Sequence, residues 1–237
     1  MKVFTSKDQL RKAIEDYFNG SNDSDISNWN TSQITNMSRL FENIQQKTVE
    51  PITLNWNTSN VRHMDHMFYK CKQDFILNFQ RQAVGNECLT ALCDTGNVIN
   101  MCCMFADATN FNQPLHFDTS NVVSMGCMFA GATSFNQPLF FDTSNVIDIE
   151  YVFKDAMNFN QPIYFQLFHY RINTDIFENS PMEGQELKYV LEPKYYSKLL
   201  LYYVLNKINQ DLLYLCDDVE TYYVCNTVND YYDYYDY

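Results

Sequence analysis

The 237-residue sequence is poor in several residue types, and each scarcity excludes a class of protein. Lys and Arg number 16 against 29 Asp and Glu, which gives a formal net charge of −13 at pH 7. Nucleic-acid binding needs Lys and Arg to neutralise phosphates, and docking on an anionic membrane needs a local basic cluster, so we expect neither partner. Only four histidines occur, and no Ser-His-Asp arrangement, phosphate-binding loop or paired-carboxylate motif accompanies them. We therefore expect no enzymatic activity and no cofactor.

Long apolar runs are missing as well. The longest, from Leu199 to Leu205, has seven residues, whereas a membrane-spanning helix needs about 20. Residues 1–8 lack the apolar core of a secretory signal peptide. We therefore expect a cytosolic or virion-associated protein, with the cell surface reached by a non-classical route as the alternative. In the absence of secretion, the eight cysteines are expected to be reduced.

What the sequence does contain is one phrase that recurs along most of its length. The pattern is an aromatic residue followed by Asp or Asn and then Thr-Ser-Asn-Val-x-x-Met, and its clearest copies begin 24 positions apart at Phe117 and Phe141. A fixed period in this range is the signature of a solenoid. A sixth copy keeps only the first aromatic residue. We number the repeats 1 to 6 by their first residues, Trp29, Trp56, Cys93, Phe117, Phe141 and Phe165.

Three phrases of these repeats resemble those of the BspA-type leucine-rich-repeat surface proteins, over residues 25–165. The phrases are Asp142-Thr143-Ser144-Asn145-Val146, Met125-x-x-Met128-Phe129-x-Gly131-Ala132 and Phe135-Asn136-Gln137-Pro138-Leu139. The resemblance is greatest to the repeat of about 25 residues found in mycoplasma lipoproteins, protists and large DNA viruses. It implies a repeat scaffold without an active site. The surface relatives imply a role as an extracellular adhesin or glycan binder.

Within one repeat, apolar residues at helical spacing are followed by a short aromatic segment. Thr119 or Ser120 is a natural N-cap, Gly131 stands where the helix should stop, and residues 135–141 are typical of a short strand. The apolar residues of the helical part are Val122, Met125, Met128, Phe129 and Ala132. We therefore predict an α/β repeat solenoid, LRR-like and right-handed, with about six repeats of the 24-residue type over residues 25–178.

A capping helix is predicted in residues 1–24. Ser6 and Gln9 have the spacing of a capping box, apolar residues follow at helical spacing from Leu10, and Gly20 ends the run. Repeat proteins need such caps because the first unit otherwise exposes its apolar face. We therefore expect this helix to cover the open end of the solenoid.

The chain after the repeats is predicted to contain a second cap and a tail. Residues 179–216 form the predicted C-terminal helical cap, whose apolar stretch over 194–215 is also a candidate for self-association. Residues 217–237 carry Asp and Glu without Lys or Arg, so we predict a flexible tail that orders against a protein partner. The candidate contacts in the tail are Tyr222, Tyr223, Tyr231, Tyr232, Tyr234 and Tyr235.

One spacing departs strongly from the period. Trp56 and Cys93 are 37 positions apart, 13 more than the usual 24, and the excess is predicted to be an insertion at 69–92 that bulges from one face. Insertions in solenoids often lie on the binding side, but a drifted, degenerate repeat is the favoured explanation of the spacing. The candidate contacts in the insertion are Phe75, Phe79 and Arg81.

The histidines and cysteines suggest a metal site only weakly. His63 and His66 are three positions apart with cysteines nearby, but the spacing is not that of a zinc finger or ribbon. His66 occupies the same repeat position as Cys103 and Cys127, which indicates a semi-buried slot, so we predict no metal site. Cys102 and Cys103 are sequence neighbours, and because a disulfide between neighbours is strained we expect reduced cysteines in the core.

Two columns of Asx residues should stack from repeat to repeat. A carboxylate column is one way to bind Ca²⁺, but Asx side chains more commonly bond their own backbone at turns. We therefore predict a structural role. The first column comprises Asn30, Asn57, Asp94, Asp118 and Asp142, and the second comprises Asn112, Asn136 and Asn160.

Together these observations predict a non-enzymatic repeat scaffold for protein–protein interaction or structural assembly, as a virion or surface component. The alternative is the adhesin or glycan binder that the resemblance implies. Rows of exposed Trp or Tyr on one face would favour glycan binding, whereas an apolar or charged patch would favour a protein partner.

Overall fold

The structure, a computed structural model, describes residues 2–20, 25–77, 94–163, 165 and 174–184. All of them lie in one compact unit, Met1–Pro193. The predicted helix over 194–215 and the tail over 217–237 lie outside the described residues. The elements within the described ranges are helix α1 (Lys7–Phe18), strands β1 (Ile52–Leu54) and β2 (Phe75–Leu77), and a 3-10 helix (Thr174–Phe177).

Helix α1 forms where the sequence predicts it. Ser6 is extended at the N-cap, and its hydroxyl accepts a hydrogen bond from the N–H of Gln9. The Gln9 side chain accepts from Thr5 rather than from Ser6, so the capping box is displaced by one residue. The helix ends at Asn19, and Gly20 takes the left-handed φ of 75° that ends many helices. The buried residues of α1 are Leu10, Ala13 and Ile14.

The N-terminal segment contacts the first repeat through backbone and side chains. Val3 forms a parallel bridge with Asn30. The Arg11 guanidinium donates a hydrogen bond to the carbonyl of Arg39. The ring of Phe18 meets that of Phe41 edge-on at 6.5 Å. Helix α1 therefore shares the apolar core of the repeats.

The repeats lie side by side in parallel register. Equivalent residues of repeats 1 to 5 bridge in sequence, from Asn36 to His63, Asn100, Ser124 and Asp148. Between them, every second N–H donates to a carbonyl of the next repeat, as in a parallel β-ladder. In repeat 4 the four donors are Met125, Cys127, Phe129 and Gly131, and the donor–acceptor distances are 2.7 to 2.8 Å.

The helix predicted over 122–132 is not present, and a run of turns replaces it. The N–H groups that do not reach the next repeat bond three residues back, as from Met128 to the carbonyl of Met125 at 3.0 Å. Cys127 and Gly131 adopt left-handed φ values of 57° and 67°, which interrupt a right-handed helix. Each turn advances the chain by three or four residues, so buried side chains recur at the spacing of a helix.

The strand predicted over 135–141 is also not formed. Pro138 has no N–H to donate, and the segment is held by side chains instead. The N–H of Asn136 donates to Asn112 Oδ1 at 2.9 Å, and the N–H of Asn160 donates to Asn136 Oδ1 at 3.0 Å. Within the described ranges the strands are β1 and β2, which pair in parallel with Ile52 opposite Phe75.

Aromatic rings form files through the core. The longest file has one phenylalanine from each repeat, with neighbouring ring centroids 5.1 to 5.6 Å apart and ring planes within 11° of parallel. Its last member lies in repeat 6, which therefore keeps the core position although its sequence phrase is lost. The file comprises Phe41, Phe68, Phe105, Phe129, Phe153 and Phe177.

Buried threonines also join neighbouring repeats. Thr119 is 2% exposed, and its hydroxyl donates to the carbonyl of Asp142 in the next repeat at 3.0 Å rather than capping a helix. Ser120 turns the other way: its hydroxyl and N–H both donate to Asp118 Oδ1. This is the Asx turn predicted for the first Asx column. The threonines that donate in this way are Thr31, Thr58, Thr95 and Thr119.

Part of the predicted insertion belongs to the regular stack of repeats. Lys70 donates its N–H to the carbonyl of Ala106 at 2.9 Å, and residues 75–77 form β2. The insertion therefore does not begin at residue 69. Residues 78–92 lie outside the described residues, and the ladder resumes in register on the far side of them.

Candidate interaction surface

One column of side chains runs along the outside of repeats 1 to 5. Its backbone is left-handed at every step, with φ between 53° and 63°. The first four members each donate their N–H to a carbonyl of the next repeat. The backbone is thus constant while the side chain is a cation, an imidazole, a thiol or a phenol. This first left-handed column comprises Arg39, His66, Cys103, Cys127 and Tyr151.

A second left-handed column follows four residues later in each repeat. Its φ values lie between 54° and 67°, and the side chains are polar, charged or absent. Asp107 lies beside Gly131, where an added Cβ would collide with the Asp107 carboxylate. Asn179 donates to Asp155 Oδ1 at 3.0 Å. The second left-handed column comprises Asn43, Lys70, Asp107, Gly131, Asp155 and Asn179.

An apolar strip lies a few residues before the first left-handed column. Val123 is 37% exposed and Ile147 is 55% exposed, and Ile99 beside them is half-buried. Backbone hydrogen bonds of 2.8 to 2.9 Å connect the three, from Ile147 to Val123 and from Val123 to Ile99. Adjacent exposed apolar side chains mark contact surfaces more reliably than scattered ones. We call these three residues the apolar strip.

Three cysteines meet on the outside where repeats 3 and 4 adjoin. The Sγ atoms of Cys102 and Cys103 are 3.5 Å apart, and the parallel register of repeats 3 and 4 places Cys127 beside Cys103. All three are free and half-buried. The expectation that Cys102 and Cys103 belong to the core is therefore wrong, whereas the semi-buried slot predicted for His66, Cys103 and Cys127 is confirmed. The flanking Met101 and Met104 are fully buried instead, because buried side chains recur every three or four residues along the turns and the two cysteines lie between two such positions.

The contacts among these thiols shift their pKa values. The hydrogen bond from Cys103 lowers the pKa of Cys127 to about 7, against partial burial and the Asp148 carboxylate, which raise it. A hydrogen bond from Cys103 also lowers the pKa of Cys102. The pKa of Cys103 is raised because its proton is shared with Cys102 and Cys127. Since one thiol has one proton, the cluster titrates as a unit.

The histidines that suggested a metal are half-buried residues of the ladder. His63 belongs to the bridged positions, and His66 Nδ1 lies 3.6 Å from Asp65 Oδ2. Cys71 is buried, donates to the carbonyl of Gln73, and has its pKa raised by burial to about 12. Across the described ranges, no group of three or more His, Cys, Asp or Glu could hold a metal ion.

Of the contact residues predicted from the sequence, the structure describes one. Phe75 is 2% exposed and packs between Phe41 and Phe68, with ring centroids 4.6 and 5.3 Å away. Its side chain therefore belongs to the core, and its prediction as an exposed contact needs correction. The other predicted contacts lie outside the described residues: Phe79, Arg81, Tyr222, Tyr223, Tyr231, Tyr232, Tyr234 and Tyr235.

Sequence reasoning did not find the apolar strip or the thiol cluster. The signal for each was a 24-residue spacing between equivalent positions, Val123 to Ile147 and Cys103 to Cys127. Val123 and Ile147 each follow a buried valine, but a helical interpretation of the repeat assigned neither pair a common face. The parallel turn ladder places each pair side by side.

The repeated ladder corresponds to a known family. A family model described as "Mycoplasma protein of unknown function, DUF285" matches residues 8–86 and again residues 78–188. The chain belongs to this family. The two DUF285 matches together span α1 and all the described repeats, so the family is defined by the repeated module rather than by a single site.

No curated protein and no solved structure matches the chain. Within the ranges that the structure describes, no helix combines the length and apolar character needed to cross a bilayer. The DUF285 description assigns no ligand or reaction, so function is argued from the surface itself.

Proposed function

We propose that this DUF285 protein is a non-enzymatic, LRR-like solenoid scaffold that binds a protein partner through the apolar strip and the two left-handed columns. The observation that carries the proposal is the first left-handed column. Four kinds of side chain occupy one repeated left-handed backbone position, from Arg39 to Tyr151, and the hydrogen-bond ladder beneath the first four members does not change. Repeat proteins build binding surfaces in this way, with a constant backbone and variable side chains on the outside.

The energetic reason is that the backbone polar groups along the ladder are already satisfied. The N–H of His66 donates to Cys102 at 2.9 Å, and that of Cys103 donates to Gly126 at 2.9 Å, whatever their side chains. A substitution on the outside therefore leaves stability nearly unchanged, because it removes no buried contact. The outer face can change its partner while the core stays the same.

The apolar strip supplies the centre of the proposed contact. Protein interfaces combine a desolvated apolar centre with a polar rim. Val123 and Ile147 provide the apolar area, and the two left-handed columns that follow along each repeat supply polar side chains such as Tyr151 and Asp155. A protein partner with a matching apolar patch fits this arrangement.

Glycan binding has less support among the described residues. Trp29 and Trp56 are 3% and 0% exposed, and their rings stack on one another in the core at 6.5 Å. Neither indole is therefore available as a stacking platform for a sugar. We accordingly place the protein partner first.

The proposal is tested by quantitative affinity capture with the full-length chain as bait in an extract of its native source. The Val123→Lys/Ile147→Lys variant is compared with Val49→Lys, a matched control because Val49 is 86% exposed and lies outside the strip. We expect the strip variant to lose its specific partners by roughly tenfold, as removal of an interface hot spot does. A third bait without residues 221–237 tests the Tyr-rich tail separately.

Circular dichroism and thermal unfolding of each bait establish that the variants are folded. Equal capture by the strip variant and the Val49 control would place the contact elsewhere. A soluble sugar that competes for the same face would favour the adhesin or glycan binder instead.

A further inference from the structure

The thiol cluster is a group of reactive side chains on the described surface, and two of its members, Cys103 and Cys127, also belong to the first left-handed column. The proposed protein contact makes no use of their thiol chemistry. Cys102, Cys103 and Cys127 come from two neighbouring repeats, and each is half-buried and free. The sulfur atoms of Cys102 and Cys103 are 3.5 Å apart, and the parallel register places Cys127 beside Cys103. The three thiols are therefore exposed enough to react with a small reagent and near enough to one another for a second thiol to react with the first.

The register of the repeats determines which pair can join. The parallel bridge between Asn100 and Ser124 places Cys103 directly beside Cys127, and their φ values of 53° and 57° direct the two side chains alike. Neighbouring parallel positions are about 5 Å apart, within the roughly 4.4–6.8 Å that disulfides span between Cα atoms. A bond between the sequence neighbours Cys102 and Cys103 would instead be strained.

We propose that Cys127 and Cys103 form a thiol–disulfide exchange site that reacts with low-molecular-weight disulfides and closes into a bond between repeats 3 and 4. The Cys127 thiolate attacks one sulfur of the reagent disulfide, forms a mixed disulfide and releases one thiolate, which takes up a proton. The Cys103 thiol then loses its proton and attacks Cys127 Sγ, releasing the second thiolate. Two protein thiols are oxidised and one reagent disulfide is reduced to two thiols.

The surroundings of Cys127 assign it the attacking role. The interaction with the Cys103 thiol and the charge of Lys154 lower the pKa of Cys127, while partial burial and the carboxylates of Asp148 and Glu150 raise it. The net result is a pKa of about 7, close to the ambient pH at which a thiol attacks fastest. Cys103, whose pKa is raised, is the thiol that keeps its proton until the second step.

The direct test is incubation of the reduced full-length chain with oxidised glutathione, followed by alkylation of the remaining thiols and peptide mapping by mass spectrometry. We expect a peptide pair joined through Cys103 and Cys127. The Cys103→Ser variant should stop at the glutathione adduct of Cys127, and Cys127→Ser should form neither product. Cys102→Ser is the matched control, and it should form the bond between Cys103 and Cys127 as the unsubstituted chain does.

Three results would overturn the proposal. The first is recovery of Cys127 as an alkylated thiol under conditions that oxidise other cysteines, and the second is a bond from Cys102 to either neighbour. The third is formation of an intramolecular disulfide at Cys127 in the Cys103→Ser variant at the same rate as in the unsubstituted chain. The peptide map of the unsubstituted chain decides the first two, so the test stands even if a variant fails to fold. It also stands apart from the capture experiment, since a scaffold can bind its partner with or without this bond.

Discussion

Helix α1 and residues 119–132 of repeat 4 share a sequence pattern and adopt different structures. In both, apolar residues recur three or four positions apart after a hydroxyl residue that can cap a helix. In α1 the Ser6 hydroxyl accepts from the N–H of Gln9 and a 12-residue helix follows. In repeat 4 the Thr119 hydroxyl donates to Asp142 of the next repeat, and turns follow.

The difference shows that apolar periodicity does not by itself distinguish a helix from a ladder of turns. The α1 sequence is rich in Lys, Arg, Glu, Gln and Ala, which favour helix. Residues 122–132 contain Gly126, Gly131 and two adjacent valines, which disfavour it. What decides the outcome is that the neighbouring repeats accept every second N–H, an option that α1 does not have.

The largest effect is expected in the aromatic file. Phe129 is fully buried, with Phe105 and Phe153 stacked on its two sides at 5.5 and 5.6 Å. We expect Phe129→Ala to lower the free energy of unfolding by about 3–5 kcal/mol, since it removes a large buried ring and leaves a cavity. Chemical denaturation measures the change.

The control for this substitution is Val123→Ala, because Val123 belongs to the same repeat and is 37% exposed. Its effect should stay below about 1 kcal/mol, since exposed positions contribute little. Equal effects of the two substitutions would contradict a continuous core across the repeats.

The caps provide the second contrast between the two regions. Thr119→Val keeps the shape of the side chain but leaves the Asp142 carbonyl without its donor, so we expect a loss of about 1–3 kcal/mol. Ser6→Ala in α1 should cost about 1 kcal/mol, the usual value of an N-cap. Thermal unfolding of both variants compares them, and a neutral Thr119→Val would mean that the bond between repeats contributes nothing.

Substitution by glycine should raise the free energy of unfolding in the repeats and lower it in α1. Asp107 is exposed with φ 55°. Replacing it by glycine removes roughly 1–2 kcal/mol of left-handed backbone strain from the folded protein, which exceeds the roughly 0.5–1 kcal/mol that the greater chain entropy of glycine costs on folding. Asp107→Gly should therefore stabilise the protein slightly. Lys12→Gly in the middle of α1 should destabilise it by about 1 kcal/mol.

The matched control at the left-handed position is Asp107→Ala, which removes the carboxylate and keeps the strain. Urea denaturation of the three variants tests the signs. Stabilisation by Asp107→Ala equal to that by Asp107→Gly would show that the carboxylate, not the backbone, is the source of the effect.

The smallest expected effect concerns the reactivity of the thiols, which the next measurement reports residue by residue. Cys127 has a pKa of about 7 and Cys71 a pKa of about 12, so alkylation of Cys127 should rise with pH around 7 while Cys71 stays unreactive. The sign follows from the thiolate, which increases as the pH passes the pKa. Cys103→Ala removes the donor and should move the midpoint for Cys127 upward by at least one unit, roughly toward an ordinary thiol. Site-resolved mass spectrometry provides the rates, and an unchanged midpoint would exclude Cys103 as the cause.

Much of the fold follows from particular residues of the sequence. The return of Phe117 as Phe141 predicts neighbouring repeats, and their rings do stack, at 6.4 Å. The Asp118-Thr119-Ser120 phrase predicts the Asx turn. The candidate surface was less predictable, since Cys103 and Cys127 were recognised as equivalent positions but Cys102 and Cys103 were assigned to the core.

The sequence by itself determined which residues are equivalent, which of them are apolar, and where α1 begins. The period of 24 and the capping residues depend only on local composition and order. Only the tertiary structure decided that residues 122–132 are turns, that Thr119 points to the next repeat and that three thiols meet. The physical reason is that a backbone N–H bonds to whichever acceptor is nearest, and here that acceptor lies in the neighbouring repeat, some 24 residues along the chain.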